Sequence, residues 1–444
     1  MLLCMGMLSL HHLSQTMPLH PLFAWILLSG VAALTLAFCF LPLQSIVLLL
    51  LVAIPLDPDA VVGFLPKLSA LDYFSVAAVI AFLVRHAPRE ILGRTWRSFS
   101  PVSAVCWMLF FIYAFSSVIF LDGHVRGVLR WGEFLFYYVL ASFAIDENPE
   151  DRNSFYVRVA ISLSVMAAIV SLITIIQFSH ANGSAASAYA TFRQRNVMAA
   201  FLSLCLPACT IIIPGLAPRW ILLRKVASFS ALCAFILSYS RGAWIGLTLG
   251  IFLVIWGLRQ THKFRLDKIK DAIFVILVLI GPLAVLLIMR NPARPFFSVS
   301  GRPLYWQATY RILREHPWMG IGPGNYYARL PNYLDGLGLE LWNGEKKHVE
   351  FWQHLHSLYF QILAEYGLLG FFLWAIGLGG MLYRSLRTTF KELELFQPFF
   401  IISILAYLTH NLVDMLAVNS LDLLFVVLLA LSAHVTRTPP QPRV

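Results

Sequence analysis

Residues 220–258 read WILLRKVASFSALCAFILSYSRGAWIGLTLGIFLVIWGL. Two apolar runs, 221–238 and 242–258, each approach the roughly 20 residues a helix needs to cross a bilayer. Between them stands Arg241, in a gap only a few residues wide. An arginine at a bilayer centre costs about 2.5–3.5 kcal/mol on insertion scales. The guanidinium therefore belongs near an interface, with a membrane-spanning helix on either side of it.

The rest of the chain repeats this pattern. Of 444 residues, 59% are apolar and 12% charged, and the mean hydropathy is +0.75. A soluble domain carries about 25% charged residues, so the fold class is an all-α, polytopic membrane bundle. Spans are expected near 22–41, 43–55, 69–84, 102–120, 128–145, 155–178, 196–213, 221–238, 242–258, 271–289, 357–382, 396–413 and 419–435. Pro42 either turns a hairpin or breaks one segment, so the total is about 12 or 13. The chain divides into an N-terminal bundle (1–289), a long loop (290–356) that is partly helical, and C-terminal spans with a tail (357–444). No linker of low complexity and no internal repeat interrupts it.

A formal charge of +11 is no nucleic-acid signal here, because basic connectors are what the positive-inside rule requires. Arg85, Arg89, Arg94 and Arg97 fall on one set of connectors, with Arg219, Arg224, Lys225, the stretch 259–270, the stretch 383–391 and the tail. That set is expected to be cytoplasmic, which puts the loop 290–356 outside. The six cysteines form no CxxC and no metal spacing. Cys205 and Cys209 read as small core residues. Residues 1–21 lack the basic start of a cleaved signal peptide.

Orientation sharpens the question of Arg241. The short outer connectors hold few basic residues: Lys67, Arg126, Arg130, Arg193, Arg195 and Arg241. Arginine in preference to lysine suggests bidentate recognition of phosphate or carboxylate, with snorkelling to lipid headgroups as the plain alternative. Arg193, Arg195 and Asn196 open a span in TFRQRNVMAAFLSLCLP (191–207), and SRGAWIG (240–246) opens another, with Ser240 as N-cap. Helix N-termini are ready anion sites. Guanidinium groups there disfavour the helix end unless an anion binds.

The third stretch is WQHLHSLYFQILAEYGLLG (352–370), where the chain re-enters the membrane. His354 and His356 are two apart and point to different sides of a helix. His356 stands at the mouth of the span, where an imidazole can exchange a proton near pH 7 or simply bond to backbone. Glu365, nine residues inward, reads as a structural carboxylate. His410 and Asp414, at i and i+4, read as a satisfied pair. Within the loop, Leu304, Tyr305, Ala308 and Ile312 fall in one arc of a helix from about 302 to 315. The glycines of GIGPG (320–324) read as turn residues. The loop's tryptophans and tyrosines suit an interface belt or sugar stacking.

Four motifs then fall in one order on one side of the membrane: F-x-x-x-N (Phe192 to Asn196), SRGAW (from Ser240), W-x-A…P-x-x-G-x-G-x-G (Trp306 to Gly324) and H-S-x-x-x-Q-x-L-x-E-x-G-x-x-G (His356 to Gly370). Together they resemble the O-antigen ligase/polymerase superfamily, integral membrane glycosyltransferases of the GT-C type, over about 190–375. The resemblance implies transfer of a glycan from undecaprenyl pyrophosphate, on the periplasmic side of a bacterial inner membrane, to a lipid A-core (ligase) or another lipid-linked repeat (polymerase). It implies that Arg241 and a second arginine bind the pyrophosphate and that His356 assists the acceptor. Arg193 and Arg195 both occupy the second arginine's place. Many relatives have Gly-Asn-Pro where this chain has Arg-Gln-Arg, and Arg195 is preferred because it adjoins Asn196.

The chemistry expected is metal-independent and inverting, without a cofactor, since arginines and helix N-termini can stabilise a departing diphosphate. The acidic pair Asp57 and Asp59 lies away from the other motifs. Expected partners are the lipid-linked donor, the lipid A-core and membrane lipids, with no nucleic acid. A transporter or flippase is the reading from another class, disfavoured by the single long loop and by charges gathered at the outer ends.

Overall fold

The computed structural model describes residues 21–56, 70–148, 150–181, 189–192, 194–261, 302–334, 356–392, 394–417 and 420–434. The expected span 271–289, Lys67, Asp57, Asp59, His354 and Arg193 lie outside them. The described residues form helices: α1 (Pro21–Phe40), α2 (Leu43–Ala53), α3 (Ala70–Arg85), α4 (Pro88–Ser98), α5 (Pro101–Phe120), α6 (Val125–Glu147), α7 (Arg152–His180), α8 (Arg195–Thr210), α9 (Pro218–Leu237), α10 (Arg241–Gln260), α11 (Arg302–Glu315), α12 (Tyr326–Leu334), α13 (Leu358–Glu392), α14 (Gln397–His410) and α15 (Leu421–Ser432). Every expected span that falls on described residues is one of these helices, with ends shifted by up to three residues, except that α13 runs ten residues past the expected 382. Six are long and apolar enough to cross a membrane, and five more are apolar helices of 10–17 residues.

One of the most apolar helices is also the most enclosed. Every residue of α15 is buried, and so is α8 from Val197 to Cys209. A helix apolar on all sides belongs at a bundle centre. By contrast, α5 and α9 leave one side uncovered, where Phe120 and Phe229 are exposed as lipid-facing side chains would be. Arg224 of α9 is buried instead of lying free in a connector. Its guanidinium donates to the carbonyls of Ala208, Cys209 and Ile211 at 2.7–3.2 Å, capping the C-terminal end of α8.

Small residues set the closest helix contact. Gly242, Gly246 and Gly250 recur every four residues along α10 and face α14. A Cβ on Gly246 would sit 2.5 Å from the Ala406 carbonyl oxygen, and one on Gly242 would meet His410 at 2.6 Å. Such spacing lets two backbones touch in lipid, where packing replaces the hydrophobic drive. It also carries the start of α10 against the end of α14.

The loop helix expected at 302–315 is α11, and Tyr305, Ala308 and Ile312 are buried as their arc requires. They pack with Ile321, Tyr326, Leu330 and Ala364 into a small core of their own. The turn reading of GIGPG gains a reason. At Gly367 (φ 63°, ψ −170°) α13 breaks. The break strands the carbonyls of Ala364 and Glu365 and the amides of Leu368 and Leu369, which a continuous helix would pair. The loop takes all four. Ile321 and Gly322 donate to Ala364 and Glu365 at 2.9 and 3.0 Å, while Leu368 and Leu369 donate to the carbonyls of Pro317 and Trp318 at 2.8 and 3.3 Å. Glu365 locks this splice, accepting from Gln361 Nε2 at 2.7 Å and from the backbone of Gly324 and Tyr326.

Gly367→Ala and Gly379→Ala place the same change in the same helix and should diverge. A Cβ at Gly367 would lie 2.4 Å from Trp318 backbone on a positive-φ residue, whereas nothing stands within 4 Å at Gly379. Gly367→Ala should cost at least about 1–3 kcal/mol, and Gly379→Ala should be neutral or stabilise slightly. Thermal unfolding in detergent reads the difference; equal midpoints would mean that the splice does not hold the loop.

Candidate functional site

Three helix starts meet one helix end. The chain enters α8 through Ala190, in a left-handed conformation (φ 50°), and buried Phe192. Gln177 of α7 pins this entry: its Oε1 accepts from the amides of Tyr189 and Ala190 at 3.2 and 2.7 Å, and its Nε2 donates to the Ala190 carbonyl at 3.0 Å. The chain enters α10 through Tyr239 (φ 51°), with Trp244 Nε1 stapling the turn to the Phe235 carbonyl at 3.0 Å. It enters α13 through His356 itself (φ 51°), and the Leu358 amide donates to the Asn411 carbonyl at 3.1 Å. Left-handed backbone at a residue with a side chain costs about 1–3 kcal/mol and gathers at functional sites. Here it precedes all three helix starts.

The common partner is the end of α14 and the turn after it. Asp414, 4% exposed, is the hub. One carboxylate oxygen accepts from Asn196 Nδ2 at 2.5 Å. The other lies 3.2 Å from His356 Nδ1 and accepts from the Met415 amide at 3.0 Å. One turn earlier, His410 Nε2 lies 3.4 Å from Ser240 Oγ. Asn411 stiffens the turn, donating from Nδ2 to the Tyr407 carbonyl and accepting from the Leu416 amide.

Two expectations are corrected. His410 and Asp414 do not serve each other as an ion pair: α10 claims the imidazole, while α8 and α13 claim the carboxylate. Ser240 does occupy the N-cap position of α10, but its side chain makes no capping bond because it faces His410. Gln194, the N-cap of α8, makes none either. Neither N-cap residue thus spends its own side chain on the first turn it opens.

Arg195 and Arg241 are the first residues of α8 and α10, and both are exposed. Each directly follows or precedes a residue tied to the end of α14: Arg195 adjoins Asn196, and Arg241 adjoins Ser240. The fold thus gathers Arg195, Asn196, Arg241 and His356 around residues 410–414. Arg130 has a different partner: its Nε pairs with Asp422 Oδ2 of α15 at 3.0 Å.

A buried carboxylate on Nδ1 fixes the imidazole ring and favours the tautomer whose Nε2 is an acceptor. Tyr305 of α11 covers the ring, with centroids 6.2 Å apart. Nearby Tyr326 is a loop phenol that burial pushes upward, so it stays neutral. The residues not anticipated from sequence are Asp414 as hub, Gln177 and Asn411. Their one-dimensional signal was only that polar side chains recur in otherwise apolar runs.

Residues 226–375 match the family model described as O-Antigen ligase. The match covers α9 to the first half of α13, so it includes Arg241 and His356 and leaves Arg195, Asn196 and Asp414 outside it. No curated protein matches the chain.

Proposed function

Because residues 226–375 carry the O-antigen ligase family domain, we propose that this multi-pass membrane protein is an O-antigen ligase of the bacterial inner membrane, with its site on the periplasmic face. The observation that carries the reading is the convergence of two arginine-bearing helix starts and an oriented histidine on one helix end. The donor would be a glycan on undecaprenyl pyrophosphate, and the acceptor a lipid A-core.

In this reading Arg195 and Arg241, with the helix N-termini of α8 and α10, hold the pyrophosphate; Arg193 is the alternative to Arg195. As the anomeric C–O bond breaks, its electron pair moves to the pyrophosphate, and fixed positive charge stabilises what accumulates there. The acceptor hydroxyl attacks the anomeric carbon from the opposite face, inverting it. Its proton passes to His356 Nε2, while Asp414 holds Nδ1 and Asn196 holds Asp414.

Deletion of the gene in its own bacterium, followed by a lipopolysaccharide gel, tests the reading. Complete loss of capped species is expected. Cores bearing a single repeat would instead assign polymerase, which needs the same fold and donor, and an unchanged profile would remove glycan transfer altogether. The basic stretch Lys346, Lys347 and His348, which favours an anionic acceptor core, is offset by Glu340, Glu345 and Glu350. It lies outside the described residues.

A further inference from the structure

On the face opposite His356, the connector of arginines expected after α3 is a helix of its own. The chain turns by 112° between α3 and α4. If α3 crosses the membrane, α4 runs nearly along its surface. Its inner side is anchored. Ser98 is buried and its carbonyl accepts from Tyr138 at 3.1 Å. Arg94 lies over the Phe143 ring at 5.1 Å and pairs with Glu90 at 3.0 Å. Arg384, on α13, donates to the Arg97 carbonyl.

The outer side carries a different chemistry. Leu92 and Trp96, one turn apart, are 60% and 50% exposed. Arg89 and Arg97, also exposed, stand before and after them along the helix, and Arg97 Nε donates back to the Gly93 carbonyl at 3.2 Å. The end of α13 reaches α4 at Arg97, through Arg384. Beyond its break at Gly367 this helix still runs to Glu392, about 37 Å, more than a hydrocarbon core of about 30 Å. Its last turns therefore project past the apolar layer with Arg387 exposed. Among the described residues, no carboxylate pairs with Arg89, Arg97 or Arg387. Glu90, the one acid of α4, is already engaged by Arg94 and His86.

We propose that the outer side of α4, with the end of α13, binds an anionic phospholipid of that leaflet. The headgroup phosphate would sit on Arg89, Arg97 and Arg387, and the acyl chains would lie against Leu92 and Trp96. The apolar pair between the cations is what selects a lipid over free phosphate, since an interfacial helix combines buried apolar area with attraction to anionic headgroups.

The test is lipid retention by native mass spectrometry of the full chain, with phosphatidylglycerol against phosphatidylethanolamine. Wild type should retain phosphatidylglycerol preferentially. R89Q and R97Q should each weaken that retention roughly fivefold, and the double variant more than tenfold. The single variants keep the test decisive if the double one does not purify. R219Q/K225Q, which removes two exposed charges at the start of α9, should change nothing. The proposal is overturned if wild type shows no preference, if R89Q and R97Q retain lipid as wild type does, or if the control loses as much as they do.

Discussion

Arg241→Ala will reach the membrane at the wild-type level and lose glycan transfer by about 10²–10³-fold, the usual loss when one group aimed at developing charge is removed. The direction follows from where this residue sits. Arg241 is exposed at the first position of α10, and packing at that helix start is carried by its neighbours. Ser240 meets His410, and Gly242 sits where a Cβ would strike the same ring. Truncation therefore removes a charge without opening a cavity. Arg241→Lys keeps the charge but loses the planar fork that grips two phosphate oxygens, so it should recover part of the activity. Arg219→Ala, exposed at the start of α9, should leave transfer intact. Transfer from a lipid-linked donor in reconstituted vesicles separates these outcomes, and normal turnover by Arg241→Ala would remove the residue from the mechanism. Arg195→Ala beside Arg193→Ala then decides which of the two supplies the second guanidinium.

His356→Ala should cost about 10²–10⁴-fold in turnover if the imidazole serves as the base. A larger loss would mean that it also positions the acceptor. Asp414→Asn distinguishes an oriented imidazole from one that is only nearby. The amide is nearly isosteric, so the bundle should fold and the acceptor's KM should hold, while kcat falls. Because Asp414 acts through His356, the double variant should be no worse than His356→Ala alone, as residues working as one unit are not additive. If the two losses multiply, Asp414 has a separate role, and the linkage through its 3.2 Å contact with His356 is not what matters.

Both predictions rest on side chains whose neighbourhood the sequence did not give in full. The helices were legible because a bilayer imposes a length: runs of roughly 20 apolar residues have few other readings. Even the loop helix from Arg302 to Glu315 followed from periodicity, since one arc of Tyr305, Ala308 and Ile312 must leave water. The placement of Arg195, Asn196, Arg241 and His356 at helix starts followed in the same way, because a charge is expelled from apolar runs to their ends. The short helices α12 and α4 were not anticipated. The first has few apolar residues to reveal a face, and the second reads by composition as a charged connector.

What periodicity cannot supply is the identity of a partner. Four-residue spacing puts His410 and Asp414 on one side of a helix end, which suits a pair equally well whether or not other helices compete for them. The competition was settled only when glycines let α10 touch α14, and when α8 and α13 brought Asn196 and His356 to the same carboxylate. Likewise, the glycines of 320–324 announced a turn, but that the turn is spliced into the break at Gly367 depends on a segment some 45 residues away. A sequence by itself determines which groups must avoid water and where charge must stand. Which donor meets which acceptor is decided by the tertiary fold, because a hydrogen bond is fixed by distances of a few tenths of an ångström between helices that the sequence does not order in space.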